Sequence, residues 1–519
     1  MNGLTTQMLA LAMTLLVAAA GVSRGTAVAA EAEETVHRPP RLTPDYAGVL
    51  VPPNLAPLNF VIAEPDVARH RVSLVPTRGT PIEIAGAAAR VEIPLRAWQE
   101  LARANAGMTV RLEVAVQNAR GAWRHFDAVT NTISADPIDR YLVYRLLHPV
   151  YNLYGRMGIY QRDLATYQER PLLENDRLED GCLNCHTFLN HQPEPMALHI
   201  RNKAAGNPML LVSSHRVTHV AKTSGYLAWH PSGRLLTFSV NRFDFLFHTA
   251  GETRDLFDSD SDLGIYRVDS NTVVMPPAIS LPNRAETWPA WSPDGRFLYY
   301  CSAPRLKIEH LRQVRYDLMR VAYDIDQDRW GEPETVLSAR DLALSAAEPV
   351  VSPDGRWLLL CLMPYGNFPP YQAGSDLYLL DLQTRALRRL DINSEQSDAW
   401  HGWSSNGRWI VFSSKRRDGL LTRPYFSHMD ADGHFSKPIL LPQCDPAFYD
   451  SFTRIYNRPE LIVAPVTVTA RALAEAALRP RHPLKPAVLV SSTNRGPTAE
   501  HEADEGRSAP TTGDPNARP

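Results

Sequence analysis

Between Leu58 and about Ile133 apolar and polar residues alternate in short runs, among them Asn59-Phe60-Val61-Ile62, His70-Arg71-Val72-Ser73-Leu74-Val75, Ala89-Arg90-Val91-Glu92-Ile93 and Thr109-Val110-Arg111-Leu112-Glu113-Val114-Ala115-Val116. A period of two marks strands with one buried face. Residues 31–135 are therefore expected to form a small β-sandwich, with a short helix over Leu95 to Asn105. After Pro137 the pattern changes. Leu142, Leu146, Val150, Leu153, Met157 and Tyr160 recur three or four apart, broken at Pro149 and Gly155. That spacing predicts two helices inside a segment, 136–204, that precedes the next architectural change.

From residue 205 to about 475 the chain repeats itself. Trp229-His230-Pro231-Ser232-Gly233-Arg234, Trp291-Ser292-Pro293-Asp294-Gly295-Arg296, Val351-Ser352-Pro353-Asp354-Gly355-Arg356 and Trp403-Ser404-Ser405-Asn406-Gly407-Arg408 each lead into a run of apolar residues, and their glycines stand 62, 60 and 52 residues apart. A Pro-Asp-Gly turn reverses one strand into the next. A second hairpin follows, as in Asp376-Leu377-Tyr378-Leu379-Leu380-Asp381-Leu382 before Ala386-Leu387-Arg388-Arg389-Leu390. Four strands per unit at this period predict a β-propeller: four units are explicit, and the strands around Met196 to Ser213 and Leu461 to Val468 would jointly close a fifth blade. The whole is mainly β. Beyond residue 475 the chain is rich in Ala, Pro, Gly, Thr and charge and has no aromatic residue, so 476–519 is expected to be a disordered tail.

At the other end, the apolar run from Met8 to Val22 and the small residues Ala27-Val28-Ala29-Ala30 predict a signal peptide over residues 1–30, and hence a periplasmic or secreted protein. No later segment is long and apolar enough to span a membrane. The 54 basic and 56 acidic residues nearly cancel without a long basic run, which argues against a nucleic-acid partner.

Five cysteines leave an odd number outside the pentapeptide Cys182-Leu183-Asn184-Cys185-His186, so a disulfide framework is not expected. Cys-x-x-Cys-His reads as a c-type haem attachment site. Cys182 and Cys185 supply thiols for the two vinyl groups, and His186 supplies the axial imidazole. Zinc or thiol redox chemistry are the alternatives. In an exported chain one covalent haem c is the stronger expectation. Strand-like sequence resumes near Met196, so the haem must borrow walls from its neighbours. For a sixth ligand His199 is the first candidate, because it shares a strand face with Arg201, a residue suited to a haem propionate. Met196, on the other face, is the runner-up, with His230 and His248 as further alternatives.

Other groups carry weaker signals. Asp255, Asp258, Asp260 and Asp262 miss the calcium-loop pattern and are expected to form a solvated loop. Cys301 and Cys361, each seven residues after a turn Asp, are expected to be buried thiols, and Trp229, Trp291 and Trp403 to pack between blades.

The Ser-Pro-Asp-Gly-Arg units resemble the repeats of TolB-type, WD-like propellers, a resemblance that implies six blades, so the expectation is a β-propeller of five or six blades. With Tyr144-Arg145-Leu146, Gly158-Ile159-Tyr160-Gln161-Arg162, the Cys-x-x-Cys-His, Trp229-His230-Pro231-Ser232-Gly233 and Asp418-Gly419-Leu420-Leu421-Thr422-Arg423-Pro424-Tyr425, the chain also resembles exported bacterial propeller proteins with a single c-type haem motif. That resemblance implies fold, cofactor and location, and leaves function open among three readings. They are electron transfer with a redox or docking protein on the propeller face, a haem enzyme or small-ligand sensor with an open iron, and a protein-binding scaffold with a structural haem. The cleavage pattern makes one prediction: N-terminal sequencing of the exported protein should begin near Glu31. A retained Met1 would make the apolar run an anchor.

Overall fold

The computed structural model describes residues 33–149, 155–202, 205–220, 225–246 and 255–478. The predicted signal peptide lies outside them, as does the predicted tail except its first residues. Those belong to a helix, Ala470–Leu478, that packs on the propeller.

The N-terminal region holds a seven-stranded sheet and a three-stranded sheet around the predicted helix, Leu95–Ala104. Trp98, Leu101 and Ala102, spaced along one helical face, are its buried residues. Trp98 donates its indole N–H to the Leu55 carbonyl at 2.9 Å, so the ring can be buried without leaving its donor unmade. The region meets the propeller through a buried bond from the Tyr46 hydroxyl to the Leu440 carbonyl, and the segment that joins them is held where Trp409 donates to the Asp136 carbonyl and Ser405 to Asp139.

The rest is a β-propeller. Among the described residues six sheets follow one another along this part of the chain. Five begin with their innermost strand, at Cys182–Phe188, Leu227–Trp229, Arg284–Trp291, Ser345–Val351 and Asp398–Trp403, and three or four strands follow in antiparallel order. The first sheet is built differently. Tyr141–Leu147, Gly158–Asp163 and Glu169–Glu174 supply three strands, and the chain returns at its other end to add Ile455–Ile462 as the innermost fourth. These six innermost strands contact one another in a closed cycle.

Among the described residues of 136–204 the expected helices do not form: Tyr141–Leu147, Gly158–Asp163, Cys182–Phe188 and Met196–Arg201 are strands of the first and second sheets. The reason is burial on both faces. Leu142 to Leu147 are all buried between sheets, so polar alternation disappears and the remaining apolar spacing mimics a helix. The expected solvated loop around Asp258 is likewise a strand, Asp255–Arg267, paired along a long hairpin with Leu235–Leu246. Tyr365 donates to Asp255, while Arg305 pairs with Asp260 and Asp262. Acidic residues alone made that stretch look exposed.

The repeat turns are held by one small circuit. Ser292, Ser352 and Ser404 donate their hydroxyls to Asp294, Asp354 and Asn406 at 2.6, 2.5 and 2.6 Å, and each accepts the backbone N–H five residues on. In the third sheet His230 replaces the serine. Its Nδ1 meets Ser232 Oγ at 2.8 Å and its Nε2 reaches the Gly295 carbonyl of the next turn at 3.1 Å. The matched tryptophans also link sheets: Trp291 donates to Thr237 and Trp403 to the Val350 carbonyl. Cys301 and Cys361 are buried thiols.

Gly295 and Gly355 offer a controlled comparison. Both have positive φ, near 72° and 74°, but a Cβ at Gly295 would lie 2.5 Å from His230 Nε2, whereas at Gly355 the nearest atom is 4.0 Å away. The left-handed conformation costs an L-residue about 1–2 kcal/mol at either site. Gly295→Ala should therefore lower the melting temperature more than Gly355→Ala. Equal losses would mean that the His230 latch bears no load.

Candidate functional site at the propeller axis

The Cys-x-x-Cys-His motif lies on the innermost strand of the second sheet, at the propeller axis, and Cys182, Cys185 and His186 are all buried. The pairing with Met196–Arg201 slips there: Leu183 faces Ile200 and His186 faces Leu198, so Asn184 and Cys185 together oppose His199. This is a one-residue bulge.

Similar slips occur on four other innermost strands, between Thr287 and Ala290, Ala347 and Val350, Ala399 and Gly402, and opposite Val143–Arg145 at Arg458. In these four, the first bulged residue has positive φ: Trp288 at 54°, Glu348 at 54°, Trp400 at 50° and Arg458 at 46°. Positive φ at large side chains is uncommon, and such strain concentrates at functional sites. Tyr226 occupies the matching sequence place in the third sheet, four residues before His230, as Trp288, Glu348 and Trp400 stand four before Ser292, Ser352 and Ser404.

These residues meet. Tyr226 stacks on Trp288, whose ring centroid lies 5.5 Å from that of Trp400, and Phe368 packs edge-on against Trp400. Arg458 crosses from the first sheet to donate to the Leu227 carbonyl of the third at 3.2 Å. Beside the aromatic cluster, Asp258 accepts from Asn241 at 2.6 Å and Asn367 at 3.1 Å.

His186 projects toward the first sheet, with Nε2 3.9 Å from Glu460 Oε2. Neither ring nitrogen makes a well-formed hydrogen bond among the described residues, although the Val143 backbone lies close enough to act on the ring. Burial, then the positive charges of Arg458 and Arg145, push its pKa down to about 3, with the Val143 backbone acting the other way. Glu460 goes up to about 7, again chiefly through burial, while Arg458 opposes the shift. Arg145 donates to Cys182 Sγ at 3.4 Å. The donor set thus fits a c-type haem: two thiols, an imidazole with unmade bonds, and nearby arginines to balance propionates.

The proposed sixth ligands fall as follows. His199 is fully buried, and its Nδ1 lies 3.4 Å from Asn184 Nδ2. It shares a sheet face with Ala197, which packs against the third sheet, whereas His186 faces the first. The second sheet separates the two imidazoles. Arg201 is on His199's face, and its guanidinium stacks over Phe243. Met196 is buried on the same face as His186, paired with Phe188. His230 is committed to the turn latch, and His248 lies outside the described residues.

Sequence reasoning passed over Arg145, Arg458, Glu460 and the bulged aromatics. The four-residue offset before His230, Ser292, Ser352 and Ser404, filled by Tyr, Trp, Glu and Trp, was the available signal.

No protein-family model matches the chain, and no curated protein matches it either. Among solved structures it is similar to Kuenenia stuttgartiensis hydrazine synthase at 15% identity, with 48% of this chain and 64% of that one covered and a TM-score of 0.29. The chain therefore spans less than two thirds of that protein. It is similar also to the propeller domain of Cps50 (Swd1) from Myceliophteria thermophila, at 12% identity over 50% of this chain and 71% of that one, with a TM-score of 0.31. A third is prolyl oligopeptidase B from Galerina marginata, at 11% identity over 64% and 42%, TM-score 0.33. At these values the propeller reading stands on the sheet order itself.

Asp258 gives the axis a pH signature. Burial raises its pKa to about 7, against the hydrogen bonds from Asn241 and Asn367. The folded carboxyl then keeps a proton that an unfolded chain releases above about pH 4. Its stabilising contribution is full below that point and is lost as pH rises through 7. Asp258→Asn should make the melting temperature fall less steeply between about pH 5 and about pH 8 than in wild type. Parallel slopes would contradict this.

Proposed function

We propose that the chain is an exported, six-bladed propeller protein that carries one covalent c-type haem on Cys182, Cys185 and His186 and uses it for one-electron transfer. The observation that carries this reading is His186, a fully buried imidazole between sheets, in a Cys-x-x-Cys-His motif, with neither ring nitrogen in a well-formed hydrogen bond. A buried polar group without a partner costs about 1–3 kcal/mol, so such a group is retained where something else satisfies it. A c-type haem supplies reversible one-electron chemistry at its iron.

The remaining roles belong to side chains of the chain. Cys182 and Cys185 would form the two thioether bonds and His186 would donate to the iron, kept neutral by its depressed pKa. Arg145 and Arg458 would balance propionate charge, with Arg201 on the far face of the sheet as the further candidate. Their positive charge would also favour the reduced iron and raise its potential. The sheets on either side would exclude water, and a redox partner would dock on a propeller face.

An open iron is the second reading. It is favoured by the register that sets His199 on the opposite face of the second sheet from His186, which removes the first candidate for a sixth ligand. That reading makes the protein a haem enzyme or small-ligand sensor.

Haem staining after denaturing electrophoresis tests attachment: the wild-type band should stain, and Cys182→Ala/Cys185→Ala should not. A mutant band that still stains would overturn the assignment. The ferrous spectrum with and without carbon monoxide separates the two readings, since an unchanged spectrum supports electron transfer through a closed iron and a shifted Soret band supports the open site.

A further inference from the structure

We propose that Glu348, Cys361 and His401 form a zinc-binding site in the wall of the propeller axis, separate from the Cys182–His186 motif. The three side chains come together from two sheets. Glu348 sits at the bulge of the fifth sheet's innermost strand, Cys361 on the strand beside it, and His401 at the matching bulge of the sixth. All three are buried.

The distances suit one ion. Cys361 Sγ lies 3.5 Å from Glu348 Oε2 and 3.8 Å from His401 Nδ1, and these last two are 3.8 Å apart. Tetrahedral zinc, with bonds of about 2.0–2.3 Å, holds neighbouring donors roughly 3.3–3.6 Å apart. The triangle is one face of such a tetrahedron, opened by a few tenths of an ångström.

A second observation points the same way. Glu348 Oε1 and His401 Nε2 have no hydrogen-bond partner among the described residues, although the side chains are only 4% and 0% exposed. The free Oε1 lets the carboxylate offer a second oxygen to an ion held at Oε2, and the sulfur's own contacts, to Glu348 Oε2 at 3.5 Å and the Asp398 carbonyl at 3.6 Å, are long ones that an ion would replace.

Charge selects the ion. A thiolate and a carboxylate balance a divalent cation, and a neutral imidazole adds a third donor without charge, so the occupied site is neutral and can be buried. Sulfur with nitrogen suits zinc and disfavours magnesium or calcium, which require oxygen. The Trp400 backbone N–H fixes the carboxylate by donating to Glu348 Oε2 at 2.6 Å. Three protein donors leave the fourth position for water or an exogenous ligand, the arrangement of catalytic rather than structural zinc sites.

The test uses the full exported chain, equilibrated with Zn²⁺ and freed of excess, with zinc counted by mass spectrometry and its ligands read by zinc-edge X-ray absorption. One zinc per chain is expected, with a single sulfur at about 2.3 Å and nitrogen or oxygen near 2.0 Å. Cys361→Ser and His401→Gln should each lose that zinc while the band still stains for haem. A wild-type chain that holds no zinc overturns the proposal. Two sulfur neighbours also overturn it, because they would assign the ion to Cys182 and Cys185. Should either variant fail to fold, the sulfur count of the wild-type protein decides alone.

Discussion

Everything at the axis depends on one pairing, that of Ile455–Ile462 with Tyr141–Leu147. A propeller is a sheet array with two loose ends, and its hydrophobic sheet faces stay buried only when those ends meet. Here they meet within the first sheet, where the chain's return supplies the innermost strand. The same strand delivers Arg458 and Glu460 to the flank of His186, and Glu460 accepts from the Thr187 hydroxyl and the Phe188 backbone N–H. Ring closure and the surroundings of the motif are therefore one event.

The second constraint is the set of bulges. A regular innermost strand would send alternate side chains into its two neighbouring sheets and leave the axis to backbone. The extra residue in each bulge turns a large side chain inward instead, at the expense of positive φ in Trp288, Glu348, Trp400 and Arg458. The axis therefore gains a stacked aromatic side and a polar side. The polar side is rich in groups that burial shifts toward their neutral forms: Asp258, Glu348 and Glu460 are raised to about 7, while His186 and His401 are lowered to about 3 and about 4. Such concentration of displaced pKa values in a closed space is the usual mark of a functional centre.

The propeller was legible because its turn chemistry repeats: serine, a turn acid or amide, glycine and arginine form a circuit of local hydrogen bonds that any sequence needing that turn must encode. The first two sheets carry no such turn. Their strands are buried on both faces, so the apolar spacing around Leu142 and Leu146 read as helix. Cys182, Cys185 and His186 were legible as chemistry, but the bulged strand that carries them was not, since a bulge is fixed by pairing with Met196–Arg201 rather than by local residue type. The same limit applies to His199. Alternation correctly grouped it with Arg201, yet only the sheet arrangement reveals that His186 points the other way. Arg458 and Glu460 were beyond reach, because their relation to the motif exists only once the ring closes.

Covalent attachment of a haem to the innermost strand of the second sheet is the proposal on which the function rests. Intact-mass measurement of the exported protein, followed by mapping of its protease fragments, addresses it directly. The chain is expected to be heavier by one haem, with the added mass confined to the fragment that contains Cys182, Cys185 and His186. A chain of unmodified mass, with both thiols of that fragment open to alkylation, would contradict it.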